Sequence, residues 1–340
     1  MSLQLNGTDG VTFNDGSEQW AAASPYNFKN YLINGNFDVW QRGTSFSFSS
    51  SSVYTADRFK IGAASGSFAR QAFTLGQTEV PYEPSYYGRW TISSNSQNYE
   101  MHQRIEDVRS LAGQTATLSF YARRPSGSTT INARIVQYFG TGGSPSSTVV
   151  TSLGTVNLTT DWQKFTFTVS VPSISGKTLG TDNNSSLWVG VQITDTNTGT
   201  IDFAQIQFEV GDTATPFEHR PFDMELARCQ RYYEKSYAVT TAPAGSDYYI
   251  QQVNPLNRGG GTGAVGYPIY YKVTKRANPT VTPYTYDGTS GQWHTGVIGS
   301  SEAKGNATIE DAGTNFFKVV VLYSTAPNAI YGHWVSSSEL

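Results

Sequence analysis

The chain has 340 residues, enough to bury a large core without disulfide or metal staples and enough for two medium domains. Only 14% of residues are charged, and Lys+Arg 23 against Asp+Glu 26 leaves a formal net charge of −3. With no basic stripe, composition argues against a nucleic-acid partner and against anionic membrane surfaces. The 33 glycines, 14% aromatics and abundant Ser, Thr and Asn suit short strands, many turns and a neutral, hydroxyl-rich surface.

In chain order, residues 1–28 stand apart. The stretch Leu3 to Gly16 carries two short alternating strands split by turn signals. It holds too few apolar residues to fold alone, so it is expected to pair with another copy or with a neighbouring component of an assembly. The start of the sequence shows no basic segment followed by an apolar one, so no secretory signal is expected. No run of eighteen apolar residues occurs, so no membrane insertion is expected.

Residues 29–222 carry a strong strand pattern. Leu118, Phe120 and Ala122 alternate with Ser119, Tyr121 and Arg123; Phe165, Phe167, Val169 and Val171 alternate with Thr166, Thr168 and Ser170. The same holds for Leu187, Val189, Val191 and Ile193, and for Ala204, Ile206, Phe208 and Val210. Strand side chains alternate faces, so each run sends one row inward and one outward. Half-buried strands separated by loops at Pro125-Ser126-Gly127, 140–147 and 180–186 indicate an antiparallel sandwich.

One helix is predicted, over Met224 to Lys235, with Asp223 as its N-cap after Pro221. Leu226, Cys229, Tyr232 and Tyr233 fall on one face. Residues 223–236 therefore read as a connector. Cys229 is the single cysteine, so no intrachain disulfide forms, and it reads as a small buried hydrophobe rather than a nucleophile. Residues 237–340 form a second β-rich region. There Val319, Val321 and Tyr323 alternate with Val320 and Leu322, which predicts a strand buried on both faces.

Catalytic constellations are not visible. His102, His219, His294 and His333 show no zinc-ligand spacing, and neither a nucleophile elbow nor a phosphate loop is present. Carboxylate pairs such as Glu100 with Glu106, or Asp223 with Glu225, read as surface charges. Aromatics are the better lead, because saccharide sites stack flat rings on sugars while polar side chains read hydroxyls. Trp188 and Gln192 point away from the apolar row of their strand. Trp90 follows a Tyr86-Tyr87 pair, and Tyr99, Glu100, His102 and Arg104 form a polar-aromatic cluster. Tyr248, Tyr249, Tyr284, Tyr286, Trp293 and His294 lie near Gly-rich turns. The candidate carbohydrate-binding residues are thus Trp90, Tyr99, Arg104, Trp188, Gln192, Tyr248, Tyr249, Tyr284, Trp293 and His294; the alternative for Trp188 and Trp90 is a place in the two-sheet core. Asp38 and Asp202 would supply a structural calcium site if the first and last strands of the sandwich are neighbours. No other cofactor is expected.

Three stretches carry a resemblance. They are Tyr31 to Gly43 followed by Ala56-Asp57-Arg58-Phe59, Ala204 to Gly211 with Thr213 to Phe222, and Glu225 to Lys235. This ordered set, over about residues 29–236, resembles bacteriophage and prophage tail-fibre proteins. In these, a jelly-roll module similar to family 4 and family 9 carbohydrate-binding modules precedes a Cys-Gln-Arg-Tyr-Tyr helix; the closing His333-Trp334-Val335 through Glu339-Leu340 is similar too. The resemblance implies an all-β chain: an antiparallel jelly-roll β-sandwich, a short connector helix and a second C-terminal β-domain. It also implies a virion location, a homotrimer, attachment to other tail proteins through residues 1–28, and binding to a host surface polysaccharide. Asn36, Phe37 and Asp38 match the opening motif, whose implied role is mainly structural, near a metal position. The expected function is therefore a non-enzymatic adhesin with a receptor-binding tip at 237–340. The rivals are a structural tail adaptor without a ligand and a polysaccharide depolymerase or esterase.

Overall fold

The computed structural model describes residues 11–12, 18–19, 28–49, 52–61, 65–94, 99–194, 198–246, 251–253, 263–296, 302–323 and 329–340. Strands β1 (Val11–Thr12) and β2 (Glu18–Gln19) pair with each other antiparallel. The strands proposed for Leu3 to Gly16 otherwise fall outside the described residues.

Next come β3 (Ser45–Phe48), β4 (Val53–Tyr54), β5 (Lys60–Ile61), β6 (Gly66–Ala72), β7 (Tyr86–Ile92) and β8 (Tyr99–Glu106). They are followed by β9 (Thr115–Arg123), β10 (Thr129–Tyr138), β11 (Val149–Leu158), β12 (Gln163–Ser170), β13 (Ser186–Ile193) and β14 (Gly199–Val210). One six-stranded sheet runs β11-β10-β13-β8-β5-β4 and the other β12-β9-β14-β7-β6-β3. Neighbours such as β8 with β13 and β9 with β14 are antiparallel but distant in sequence, so the chain crosses repeatedly between two facing sheets. This is a jelly-roll sandwich. Its core is filled by the inward rows the alternation predicts, among them Leu118, Phe120, Phe167, Val169, Val189 and Val191.

Strand β14 departs from the half-buried pattern. Every residue from Ile201 to Glu209 is buried. A bulge at Gln205, whose φ is 50°, shifts the register between Ala204 and Gln207. Two segments then cover the face that would otherwise meet water. Asn30 Nδ2 donates to the Ile206 carbonyl at 3.0 Å, the Phe208 amide donates to Asn30 Oδ1 at 3.0 Å, and the Glu218 amide donates to Gln207 Oε1 at 2.8 Å. Gly35 passes so close that a Cβ there would lie 2.1 Å from the Ile206 carbonyl oxygen. Val210, predicted inward, is half exposed at the strand end.

Helix α1 spans Phe222–Gln230, shorter than predicted at its C-terminal end. Pro221 occupies the cap position and Asp223 lies in the first turn. Tyr233–Lys235 instead form β15, which pairs with the last strand. Helical spacing placed Tyr233 beside Tyr232, but the edge of the second sheet claims it. Cys229 and Tyr232 pack with Ile33, Val39, Leu226 and Leu340, and burial pushes the Cys229 thiol well up.

The C-terminal region continues with β16 (Gln251–Val253), β17 (Gly263–Tyr270), β18 (Thr280–Tyr284), β19 (Gln292–Thr295), β20 (Ala303–Glu310), β21 (Phe316–Tyr323) and β22 (Ile330–Ser337). They form one sheet in the order β15-β22-β19-β20-β21-β17, with β16 and β18 also on β22. Trp293, Phe317, Val319, Val321, Ile330 and Trp334 make its core. The expectation that β21 is buried on both faces is corrected: Phe316 and Leu322 face outward and are exposed. An uninterrupted apolar run hides which row faces the core, since both rows read alike.

Candidate functional site

The sequence-predicted residues divide sharply. Trp188, Arg104 and Gln192 do share one outward face. Trp188 pairs with Arg104 and Gln192 with Glu100 across β13 and β8. His102 stacks on the Trp188 ring at 5.0 Å with planes 8° apart, and the Arg104 guanidinium lies 4.0 Å from the ring centroid. The indole N–H donates to Ser186 Oγ. Arg134 reaches both Gln192 and Glu100. Trp188 is therefore already engaged by its own strand neighbours. Burial, with Arg104 and Lys60 beside it, holds His102 down to about 3, so its ring is neutral.

Four predicted rings are not surface groups. Trp90 is 0% exposed and belongs to the sandwich core with Ile92, and Tyr99 is buried there too. Their positions on the inward rows of β7 and β8 decide this. Trp293 is 0% exposed and donates its indole N–H to the His333 carbonyl at 2.9 Å. His294 is buried, in a cluster of near-parallel rings with Tyr286 at 4.4 Å and Tyr331 at 5.3 Å. Tyr284 is half-buried, with Tyr237 edge-on at 6.4 Å. Tyr248 and Tyr249 lie outside the described residues.

The calcium expectation for Asp202 is also corrected. Its buried carboxylate receives Arg89 Nε at 2.7 Å, Arg89 Nη2 at 2.9 Å and Arg123 Nε at 3.0 Å. Two guanidiniums thus stand where a cation would need to be, and the Asp202 hydrogen bonds hold Arg89 above its ordinary value. Asp38 lies elsewhere, in a cleft.

That cleft has a volume of about 570 Å³, within the usual range for a ligand site. Its walls come from five parts of the chain: the Asn36–Thr44 segment, Arg70 of β6, the stretch leading into β7, the turn leading into α1, and Val239–Thr240 of the C-terminal region. Trp40 lies at the floor, stacked on Phe68 at 5.7 Å, with its indole N–H on the Phe37 carbonyl. Tyr82, Phe222 and His219 stand exposed, and Tyr86 is half-buried. Polar groups among them are Asp38, Glu83, Asn36, Thr44 and Arg70. Burial raises the Asp38 carboxyl above the usual carboxylate range, opposed by the hydrogen bond from Asn36 Nδ2. Burial lowers His219.

The loop carrying Tyr82 is held firmly. Val80 is fully buried against Tyr87, Trp162 and Ala204. Gln77 brackets it, donating to its carbonyl at 2.8 Å and accepting from its amide at 2.9 Å. Gln205, the bulge residue of β14, donates to the Pro81 carbonyl at 2.7 Å. Tyr82 and Glu83 then both take left-handed backbone, with φ of 66° and 49°. Consecutive non-glycine residues there cost energy, and such strain concentrates at binding sites. The result is a ring projected into the cleft with little conformational freedom left to lose.

Sequence reasoning missed Tyr82, Glu83, Arg70, His219 and Phe222 as site residues. The available signal was Val80-Pro81-Tyr82-Glu83-Pro84, an aromatic bracketed by prolines between two strands. Tyr86 was noted only as a neighbour of Trp90. On β7 it lies at the strand end, where the inward row opens into the cleft.

No family model matches the chain, and no curated relative matches it. Solved structures similar to the chain include a family 4 carbohydrate-binding module, 21% identical over 52% of this chain and 98% of that one, with a TM-score of 0.31. A xylan-binding domain of family 22 is 13% identical over 56% of this chain and 100% of that one, with a TM-score of 0.38. A tandem pair of family 22 modules from Paenibacillus barcinonensis is 11% identical over 94% of this chain and 92% of that one, with a TM-score of 0.34.

Proposed function

We propose that this chain is a non-enzymatic saccharide-binding protein whose site is the cleft between Tyr82, Tyr86 and Phe222. The observation that carries the reading is a cleft of ligand size with aromatic walls, short polar readers and a loop pinned on three sides. Aromatic faces take the apolar side of a sugar ring, while Asn36, Asp38, Glu83 and Thr44 are placed to meet hydroxyls. In its finer form, the proposal is a phage tail-fibre protein that attaches the virion to a bacterial surface glycan as a homotrimer. The ordered motif set of residues 31–43, 204–222 and 225–235 supports that form. Soluble protein added to host cells before phage tests the finer form, and unchanged phage adsorption overturns it.

An array of bacterial surface polysaccharides tests the binding itself. Tyr82→Ala is expected to weaken glycan binding about tenfold or more, using the roughly 1–3 kcal/mol of a stacked planar base as the scale. Unaltered affinity in this variant, or no glycan bound by the wild type, overturns it. A second reading, glycan cleavage, draws on Asp38 and Glu83 sharing the cleft, with the Asp38 carboxyl raised by burial. Release of reducing ends that Asp38→Asn abolishes would favour it.

A further inference from the structure

Within that saccharide reading, on which the following rests, we infer that Arg70 recognises an acidic group on the bound glycan. Arg70 lies on β6 between β3 and β7, with its amide donating to the Thr44 carbonyl at 2.8 Å. Its guanidinium lies 4.4 Å over the Tyr86 ring and lines the cleft. Among the described residues no carboxylate comes within ion-pairing distance of it, and no acceptor takes its side-chain hydrogens. Each of the other charged groups around the cleft already has a partner within the protein, and the carboxylates keep further acceptor sites for hydroxyls. Arg220 binds Glu218, Glu225 and the Leu32 carbonyl. Asp38 receives Asn36 Nδ2, and Glu83 receives the Gly76 amide at 3.1 Å.

A planar cation stacked on a ring keeps its fork of donors oriented, the geometry that a carboxylate or phosphate accepts in bidentate fashion. Arg70 is thus a preset anion reader at one end of a cleft whose acidic residues suit hydroxyls. The matching ligand is a glycan bearing an anionic oxygen group, uronate or phosphate, beside neutral sugars.

Wild type, Arg70→Gln and Arg70→Lys are compared on bacterial surface polysaccharides printed in native, carboxyl-reduced and dephosphorylated form. The expected result is wild-type binding that falls about tenfold or more after one treatment, with the treatment naming the group. Arg70→Gln loses the same factor on native glycan and nothing on the treated one, and Arg70→Lys recovers part of it. Equal binding to native and treated prints, or an Arg70→Gln variant that matches wild type, overturns the anion assignment and leaves saccharide binding standing. Wild type that binds no print overturns both.

Discussion

The C-terminal residues latch the two halves of the molecule together, and Glu339 carries most of that load. Its carboxylate pairs with Arg58 Nη1 and with Arg42 Nη2 at 3.0 Å. Arg58 is 1% exposed, lies 3.4 Å over the Tyr232 ring and donates Nη2 to the Arg104 carbonyl at 2.6 Å. Arg42 lies 3.6 Å over Tyr233, Tyr54 Oη donates to the Leu340 carbonyl, and Arg276 Nε donates to the Ser338 carbonyl. An exposed ion pair would contribute little, about 0–1 kcal/mol. Here both partners are buried, so removing the carboxylate strands a desolvated guanidinium, which costs about 3–5 kcal/mol. Glu339→Gln keeps the volume and one acceptor, which puts it near the lower end, about 3 kcal/mol. Replacing Glu339 together with its deeper partner, as in Arg58→Met with Glu339→Leu, removes the more buried guanidinium while Arg42 keeps Asp57 at 3.7 Å, and is expected to recover most of that loss. Equilibrium urea unfolding measures both, read as midpoint shifts at unchanged slope. A Glu339→Gln loss below about 1 kcal/mol, or a double variant no more stable than the single one, would refute the latch.

Trp188→Ala is expected to lower stability by about 1–2 kcal/mol through its lost His102 and Arg104 contacts, while glycan affinity stays within twofold; an affinity collapse would move the site to that face. Gly35→Ala should cost more than about 3 kcal/mol, because its Cβ meets a backbone carbonyl that cannot swing aside. Gly313→Ala, where the nearest atom is 3.7 Å away, serves as its control and should stay within about 1 kcal/mol. His102 is held down to about 3 when folded but titrates near its ordinary 6.5 when unfolded. Below pH 6.5 the unfolded chain therefore takes up a proton that the folded chain refuses, and stability drains until about pH 3, at up to about 1.4 kcal/mol per pH unit. His102→Gln should flatten the acid limb of the stability profile by that slope, and parallel profiles for the two proteins would contradict it.

The sandwich was legible because its strands obey a simple rule. Where one face meets the core and the other meets water, as in Phe167 and Val169 against Thr166 and Thr168, period two appears in the sequence and fixes the register. Legibility ended where a second layer covered the outer face. Gln207 and Glu209 read as solvent-facing, yet both are buried, because the chain folds back after β14 so that Thr215 and Glu218 bond them, while Asn30, far away in sequence, bonds the backbone on either side of Gln207. Strand periodicity along β14 carries no sign of either the fold-back or the distant Asn30. The Tyr31–Gly43, Thr213–Phe222 and Glu225–Lys235 stretches stand out in the sequence for the same reason. Arg220 alone binds the Asn30 and Leu32 carbonyls, Glu218 and Glu225, so these stretches form one interlocked network rather than three separate features.

The site was harder to read because aromatic content does not separate ring faces from ring volumes. Trp90 and Trp293 were reasonable candidates by type, but the largest side chains also fill the deepest space, and strand parity assigned both to the interior. Trp188 kept the predicted outward side and is still taken up by its own neighbours. Tyr82 differs by a backbone cause. Val80 anchors below it, Gln77 and Gln205 clamp on either side, and two left-handed residues turn the ring outward. A β-bulge 124 residues further along the chain supplies one of those clamps, so the strained loop and the bulge form one device. Relaxing that device should cost affinity even if every cleft-lining side chain is kept. Gln205→Ala, which touches no cleft residue directly, is therefore expected to weaken glycan binding several-fold by loosening the Pro81 carbonyl. Titration calorimetry showing full affinity in a folded Gln205→Ala protein would mean that the loop needs no such support.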